Sequence, residues 1–558
     1  MMDKMEYKEK MKGLLSDRDT YKTIRMDPTQ KLLRRNNNIV NDLYKRKNID
    51  NHKKYQLTCT AATAPRLYGL PKIHKENTPL RPISAFTNVP CYKLSKFIGQ
   101  TLKEIVSHEY NVHNSFQLKD RLKNIRIEED EILISFDVVS LFTNIPVQFA
   151  IRIIMEQWTS LQRHTTLTRK QFLTTLEFCL RDNNYFLYDG TYYQQVHGMP
   201  MGNPLSPTVA DIVLDKILDD SIAELKTKDI YIKYINKYVD DIFAIVKKND
   251  VEEILKVFNS QRSKIQFTTE VEDGNKLAFL DVEVHRSNNI IKTNWYAKSV
   301  ASSRMINYHS NHPWTQKKNT AINLINKIYA LSDHEFRKDN GRKIRNILYK
   351  NGYPNEAIER LIATAKNKPK AANLNTQPET TNNKRYTGVT YIQGLTDSKT
   401  IQKSIQNKNI TFAHKPNSTI NRIFSKIKDE INKEQQHNVV YEIQCNGKAG
   451  EACNKIYIGT TKRALGVRIS EHKTDARNKK TTTALAQHLT NSGHTADFEN
   501  AKILDVENKD RTRLTLESLR IQQKIQHAMN FKEDVDNINC AYRTAITCNR
   551  RTDEQKYT

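Results

Sequence analysis

"INKYVDDIFAIV", residues 235–246, sets two adjacent carboxylates, Asp240 and Asp241, inside a run that otherwise reads as a buried strand. Ile235, Tyr238, Val239, Ile242, Phe243, Ile245 and Val246 all favour a pleated sheet. Charge beside charge in such a run is costly, because like carboxylates repel and both lose hydration. A lone Asp-Asp pair most often marks a solvated turn. Apolar strand on both sides places this pair at the tight tip of a buried hairpin. There, a pair of Mg²⁺ ions would make closely spaced, ionised carboxylates favourable.

A two-metal site also needs a carboxylate from another strand, so that both ions are bridged. "ISFDVVSLFTNIP" (134–146) supplies Asp137, which ends the apolar run "EILISF"; alone, it would serve equally as a strand-end cap. Between the two segments lies "HGMPMGNPLSPTVADIVLD" (197–215), a Gly- and Pro-rich loop running into a helix. Small residues there, Gly202 among them, permit close approach of a base pair or of backbone. Upstream, "YGLPKIHKENTPLRPISAF" (68–86) carries Lys72 and Arg81 on two short flanking segments, a basic pair suited to clamping a triphosphate.

The ordered set "PK", "RPI", "FDVVSLF", "GMPMGNPLSP" and "YVDD" resembles the finger and palm motifs of reverse transcriptases. "LYGLPKIHK", "FDVVSLFTNIP", "FLDVEV" and "NYHSNHP" are similar to the Penelope-like retroelement branch. The resemblance covers residues 55 to 365, and more weakly to about 435. It implies that Asp137, Asp240 and Asp241 ligate two Mg²⁺ ions and that Lys72 and Arg81 contact an incoming dNTP. Phe142 stands five positions after Asp137, where the motif faces the sugar. An aromatic ring there would clash with a 2′-OH, which argues for deoxynucleotides; a plain core aromatic is the other reading.

The chain beyond residue 436 has its own pattern. "NVVYEIQC" (438–445) and "NKIYIGTTKRALGVRISEH" (454–472) read as two strands and a helix, and "LESLRIQQ" (516–523) as a later helix. Tyr441 and "YIG" (457–459) are similar to the paired strands of GIY-YIG endonucleases, although "VVY" stands where Gly-Ile-Tyr is expected. Arg468 and His472 fall four apart on one helix face. Arg468 can neutralise charge on a phosphate during cleavage. The resemblance implies that Glu517 holds a single Mg²⁺ and that Tyr457 or Tyr441 helps to activate water. Asn539 in "NINC" competes with Asn537 for the closing polar position. Cys445 and Cys453, with seven residues between them, and His488 and His494, with five, make a Cys₂His₂ set suited to structural Zn²⁺. That cysteine spacing exceeds the usual zinc-finger range, and two buried thiols with two surface histidines is the plainer reading. The nuclease domain of Penelope-like enzymes is distinguished by such a set.

At 558 residues the chain is too long for one core, and a net charge of +27 is the electrostatic footprint of a polyanion partner. No apolar run reaches the roughly 18 residues needed to span a bilayer. The charged start is not a signal peptide, and seven Cys fall short of a disulfide scaffold, which points to a reducing, intracellular setting. The expected fold class is α+β and multidomain: a right-hand fingers, palm and thumb reverse transcriptase, then a small α/β GIY-YIG nuclease domain with a zinc-binding insertion. The expected divisions are a basic helical N-terminal extension (1–55), fingers and palm (56–300) and a helical thumb (301–365). A flexible linker (366–385), a small connector (386–435), the nuclease (436–545) and a basic tail (546–558) complete the chain.

The expected function is RNA-directed DNA synthesis by a retrotransposon protein that nicks DNA and extends the new 3′-OH. Its partners are element RNA as template, target DNA, the RNA–DNA hybrid and dNTPs, with no membrane. It is made in the cytoplasm and acts in the nucleus. The rival readings are a domesticated reverse transcriptase with a telomere or repair role, and a non-enzymatic RNA-binding protein that keeps the fold.

Overall fold

The structure, a computed structural model, describes residues 2–73, 75–367, 385–391, 410–416, 428–481 and 483–535. Its largest core surrounds a four-stranded antiparallel sheet in the order Tyr234–Tyr238, Asp241–Lys247, Glu131–Val138, Phe267–Val271. The middle strands are buried on both faces, which is why their sequences read as nearly unbroken apolar runs. The period of two sorts their side chains. Ile132, Ile134, Phe136, Ile242, Ala244 and Val246 enter a helical core built on the buried helix Ser206–Thr227. Leu133, Phe243 and Ile245 enter a second core with Leu277, Phe279, Val282 and Val284, supplied by the three-stranded sheet Lys276–Phe279, Val282–Ser287, Ile290–Trp295.

Two finger hairpins flank this palm. Leu67–Pro71 pairs with Leu80–Ser84. Tyr185–Tyr188 pairs with Thr191–Gln195 and turns at Asp189-Gly190, both with positive φ (46° and 77°), as the Asp-Gly dipeptide predicts. The segment expected as a thumb holds three helices, Trp314–Leu331, Arg337–Lys350 and Asn355–Asn367, closed over Ile325, Ile328, Ile344, Leu348 and Leu361.

Three expected boundaries shift. Residues 1–55 are not a separate extension. Strand Tyr21–Ile24 adds to the edge of Thr191–Gln195, and Leu32, Val40 and Leu43 of helix Thr29–Lys45 enter the main core. The Lys and Asn richness masked this: Lys31 and Lys45 lie on the helix's exposed face, and the fully buried Asn36 donates to the Leu57 carbonyl (3.3 Å). The helical thumb starts at Trp314 and not at 301: residues 301–313 are irregular, pinned where Tyr353 donates to the Ile306 carbonyl (2.9 Å) and Asn351 accepts from the Met305 amide (3.0 Å). Of the linker and connector, helix Asn355–Asn367 runs into the former, and Arg385–Tyr391 pairs in parallel with Ile410–Pro416 in the latter; 368–384, 392–409 and 417–427 lie outside the described residues.

The C-terminal domain is a sheet centred on Val439–Gly447, which pairs with Ile456–Thr461 on one side and with Lys502–Val506 and Thr495–Ala496 on the other. Helices Leu465–Arg477, Ala484–Ser492 and Asp510–Gln523 pack on it. Asp429 ties the domain to the fingers: its carbonyl accepts from the Arg66 guanidinium (2.6 Å), and its carboxylate accepts from the Asp189 amide (2.8 Å). No helix among the described residues is long and apolar enough to cross a membrane.

Candidate functional site

The first site forms where the second palm core runs out. Asp137 and Asp241 lie on the same sheet face as Leu133, Phe243 and Ile245, and they stand directly opposite each other across the strand pair. Asp240 occupies the two-residue tip with Val239, and its carbonyl accepts from the Val138 amide (3.3 Å). The three carboxylates therefore gather at one sheet end, as the sequence predicts. Burial pushes Asp240 above the usual carboxylate range, with Asp137 adding to the rise and Arg81 and Lys72 opposing it. Burial, then the charges of Asp240 and Asp137, push Asp241 up to about 6, although the residue is exposed to solvent. Repulsion that protein cations do not cancel suits a divalent cation held by these three oxygen donors.

Val239 adopts φ 58°. That conformation is strained for a β-branched residue, and the tip aims its neighbouring carboxylate at this expense.

The basic pair comes from one hairpin: Arg81 on Leu80–Ser84, and Lys72 just past Leu67–Pro71, its amide bonded to the Pro79 carbonyl (2.9 Å). Burial and then the Lys75 and Arg81 cations lower Lys72, while Asp137 and Asp240 raise it, which puts clamp and carboxylates in one electrostatic neighbourhood. The loop of Gly202 closes this neighbourhood. The Ser84 amide donates to the Met201 carbonyl (2.8 Å), and the Met199 amide to the Phe142 carbonyl (2.7 Å). Gly202 has φ 129°, and a Cβ there would strike the Ser84 carbonyl, so only glycine fits. Phe142 is half-buried against the main core.

One component has no counterpart in the sequence reading. Lys237, on the strand leading to the tip, is fully buried, with Nζ 2.7 Å from Asp211 and 3.1 Å from Asp215 on helix Ser206–Thr227. Burial raises Asp215 to about 6 against the pull of Lys237. The signal was present as a lysine within an apolar strand and aspartates at 211, 215 and 219, spaced by one helical turn.

A second cluster sits on the C-terminal sheet. Tyr441 lies opposite Gly459, where a Cβ would fall 2.7 Å from the Tyr441 hydroxyl and 2.8 Å from the Tyr457 ring. Glycine there lets both rings lie over the strand. His472 packs against both, with ring centroids 6.0 Å and 5.2 Å away, and its Nε2 is 2.8 Å from the Tyr441 hydroxyl. Burial, aided by Arg468, depresses His472 to about 4. The imidazole is therefore neutral, and it shares a hydrogen bond with the Tyr441 hydroxyl. Burial raises both tyrosines, Tyr457 to about 12, with Arg468 countering the rise in each. Burial and then Asp534 lift Glu517 to about 7. All five predicted residues thus converge.

Asn539 and its competitor Asn537 lie outside the described residues. Among the described residues, an asparagine at this edge is Asn530, unmarked in the sequence. Its side chain bonds both backbone groups of Ile458 (3.0 Å and 2.7 Å) and reaches Asp534 (3.3 Å).

The third cluster is Cys445, Cys453, His488 and His494, whose donor atoms all lie within 4.8 Å of one another. His488 Nε2 is 3.3 Å from Cys445 Sγ and 3.6 Å from Cys453 Sγ; His494 Nδ1 is 3.4 Å from Cys445 Sγ and 3.3 Å from His488 Nε2. Ligand bonds of about 2.0–2.3 Å at tetrahedral angles give donor separations of roughly 3.3–3.8 Å, so the cluster fits a four-coordinate metal. Cys445 lies within the central strand, near the end of the stretch that reads as a strand, and Cys453 lies in the loop after it.

Residues 73–273 match the model of the reverse transcriptase (RNA-dependent DNA polymerase) family, and residues 304–363, over the thumb helices, match that of the animal helix-turn-helix domain. Among solved structures, telomerase from Candida albicans with a fragment of telomeric RNA aligns at 10% identity and a TM-score of 0.41, over 65% of this chain and 61% of that one. Truncated apo telomerase from Candida tropicalis aligns at 14% and 0.33, over 41% and 55%. The quiescent BmCPV RNA-dependent RNA polymerase aligns at 12% and 0.38, over 55% and 29%. The chain spans less than two thirds of the length of each. No curated protein matches the chain.

Proposed function

We propose that this chain, which carries a reverse transcriptase domain, is an RNA-directed DNA polymerase of a Penelope-like retroelement whose C-terminal domain is a GIY-YIG-type nuclease. In this reading the nuclease nicks target DNA in the nucleus, and the polymerase extends the new 3′-OH on element RNA. The observation that carries the polymerase reading is the register of Asp137 opposite Asp241 with Asp240 at the adjoining tip.

Asp137, Asp240 and Asp241 would hold two Mg²⁺ ions. Bound there, the ions supply Lewis acidity to the attacking 3′-OH and to the pyrophosphate leaving group. The chain's own residues do the rest. Lys72 and Arg81 bind and orient the triphosphate, and the Gly202 loop lets a base pair approach backbone. Phe142 crowds a 2′-OH, which selects dNTPs. In the nuclease, Glu517 would hold one Mg²⁺, Arg468 faces the scissile phosphate, and Tyr457 or Tyr441 orients water. His472, neutral and hydrogen-bonded to the Tyr441 hydroxyl, holds that hydroxyl in place. The Cys₂His₂ cluster would hold Zn²⁺ with no open position, a structural role.

Primer extension on RNA with dNTPs tests the reading. Asp240→Asn with Asp241→Asn should lower the rate by about 10³-fold or more, since such ions supply several kcal/mol of charge stabilisation. Affinity for primer–template should persist; unchanged extension would leave a nucleic-acid-binding protein as the surviving reading. Glu517→Ala should abolish nicking and spare extension from a supplied primer, and nicking that survives would refute the nuclease metal assignment.

A further inference from the structure

The strand Tyr234–Tyr238 is the edge strand of the palm sheet, with a strand neighbour on one side only, yet it carries one arm of the carboxylate hairpin. Two features work against that hairpin: the positive φ of Val239 and the gathering of three carboxylates, Asp137 opposite Asp241 with Asp240 at the adjoining tip. Something must hold the arm in register, and the backbone does part of this. The Lys237 amide donates to the Tyr110 carbonyl (2.7 Å), and the Val112 amide donates to the Lys237 carbonyl (2.9 Å).

The side chain does more. Lys237 lies opposite Ile242, so the period of two turns it away from the carboxylate face and into the helical core. There its fully buried ammonium meets Asp211 (2.7 Å) and Asp215 (3.1 Å), one turn apart on helix Ser206–Thr227. A turn further on, Asp219 accepts from the Tyr110 hydroxyl (2.9 Å), so the segment bonded to the Lys237 backbone is tied to the same helix. That helix starts directly after the Gly202 loop, which is bonded to the Phe142 and Ser84 backbones.

A buried ion pair is a poor stabiliser, because desolvation of the charges offsets their attraction and an apolar side chain of similar shape often serves as well. What it does supply is a defined geometry: an ammonium between two carboxylates has one low-energy position along the helix, whereas an apolar contact slides.

We propose that Lys237 is a positioning residue of the polymerase site, fixing the carboxylate hairpin against the helix that carries the substrate loop through its ion pairs with Asp211 and Asp215. It touches neither substrate nor the reacting atoms. Its loss loosens the alignment of Asp240 and Asp241 with Asp137, and with it the affinity for divalent cations. The inference rests on the polymerase reading of the three carboxylates.

The test compares the full chain with Lys237→Met, which keeps the shape and removes the charge, and with Lys237→Met combined with Asp211→Asn and Asp215→Asn, which also removes the stranded carboxylates. Extension is followed against Mg²⁺ concentration. Mn²⁺ binding is followed by electron paramagnetic resonance, with Asp240→Asn/Asp241→Asn as the blank for this site, and thermal transitions are recorded for all variants. The triple variant should regain the thermal transition of the wild type. Both variants should still need about tenfold more Mg²⁺ for half-maximal extension, with the KM for dNTP little changed, and bind Mn²⁺ about tenfold more weakly. A triple variant with wild-type Mg²⁺ and Mn²⁺ dependence would reduce Lys237 to a stability role and overturn the proposal. If wild-type protein extends no primer, the polymerase reading fails by itself. The Mn²⁺ titration then decides whether Lys237 organises the carboxylates, and equal binding in all variants overturns it.

Discussion

At the scale of the residue, Val239 and Asp241 show how the polymerase hairpin is held under load. Val239→Gly frees a β-branched residue from φ 58°, a strain of about 1–3 kcal/mol, against roughly 0.4–1 kcal/mol of added chain entropy in the unfolded state. A net gain of about 1 kcal/mol in urea-unfolding free energy is expected, together with slower extension as the tip loosens. Asp241 makes a pH prediction. Its carboxyl binds a proton more tightly folded than unfolded, so its contribution is complete below the ordinary carboxylate value and is lost as pH rises through about 6. In metal-free buffer, Asp241→Asn should therefore raise the thermal transition at pH 7 and leave it unchanged at about pH 4, and Mg²⁺ should stabilise wild type more at the higher pH. A variant that gains nothing at pH 7 would remove repulsion as the cause. These carboxylates were legible because charge inside an apolar run demands an explanation that only a few chemistries supply. Lys237 left a signal as a lysine in an apolar strand. Its pairing with Asp211 and Asp215 was not legible, since no local pattern shows that this strand and that helix face meet. Asn530 was not either: its partner is backbone, which leaves no trace in side-chain spacing.

At the scale of the element, the Cys₂His₂ cluster joins parts that the chain separates: Cys445 on the central strand, Cys453 in the loop after it, His488 on helix Ala484–Ser492 and His494 just beyond. Cys445→Ser, or removal of metal by a strong chelator, should cost at least about 3 kcal/mol, or some 10 °C of transition temperature in a domain of this size, while primer extension persists. Retained metal measured on purified Cys445→Ser would count against the ligand set. The paired strands of this domain were readable from their apolar runs, and the tyrosine–glycine opposition from the motif. Strand Tyr21–Ile24 was missed for a physical reason: four residues with the pattern Tyr-Lys-Thr-Ile carry too short a period to stand out, and a partner near residue 193 supplies the rest of the specification. The irregular run before Trp314, expected as helix, is fixed instead by the Asn351 and Tyr353 side chains, which lie some 46 residues further along the chain.

At the scale of the whole molecule, a net charge of +27 means that binding to nucleic acid should be dominated by phosphates and counterion release. Affinity for an RNA–DNA hybrid should drop by about 10³-fold or more between roughly 50 and 200 mM salt if about six to ten phosphates are contacted, with little dependence on sequence. A flat salt response in a filter-binding assay would contradict that. The +27 imbalance and the two-part motif layout were plain from the sequence; the tie through Asp429 was not, because it joins residues far apart in the chain by a single carboxylate and a carbonyl. The strand Tyr21–Ile24 also sets a timetable. It leaves the ribosome about 170 residues before its partner Thr191–Gln195 and, at roughly 5–20 residues per second, waits on the order of ten seconds or more without a mate. During that interval the nascent chain presents a short, unsatisfied strand to neighbouring polysomes. In a finished protein cut before residue 25, the same vacancy passes to the finger hairpin, whose newly bared edge invites a second molecule to fill it.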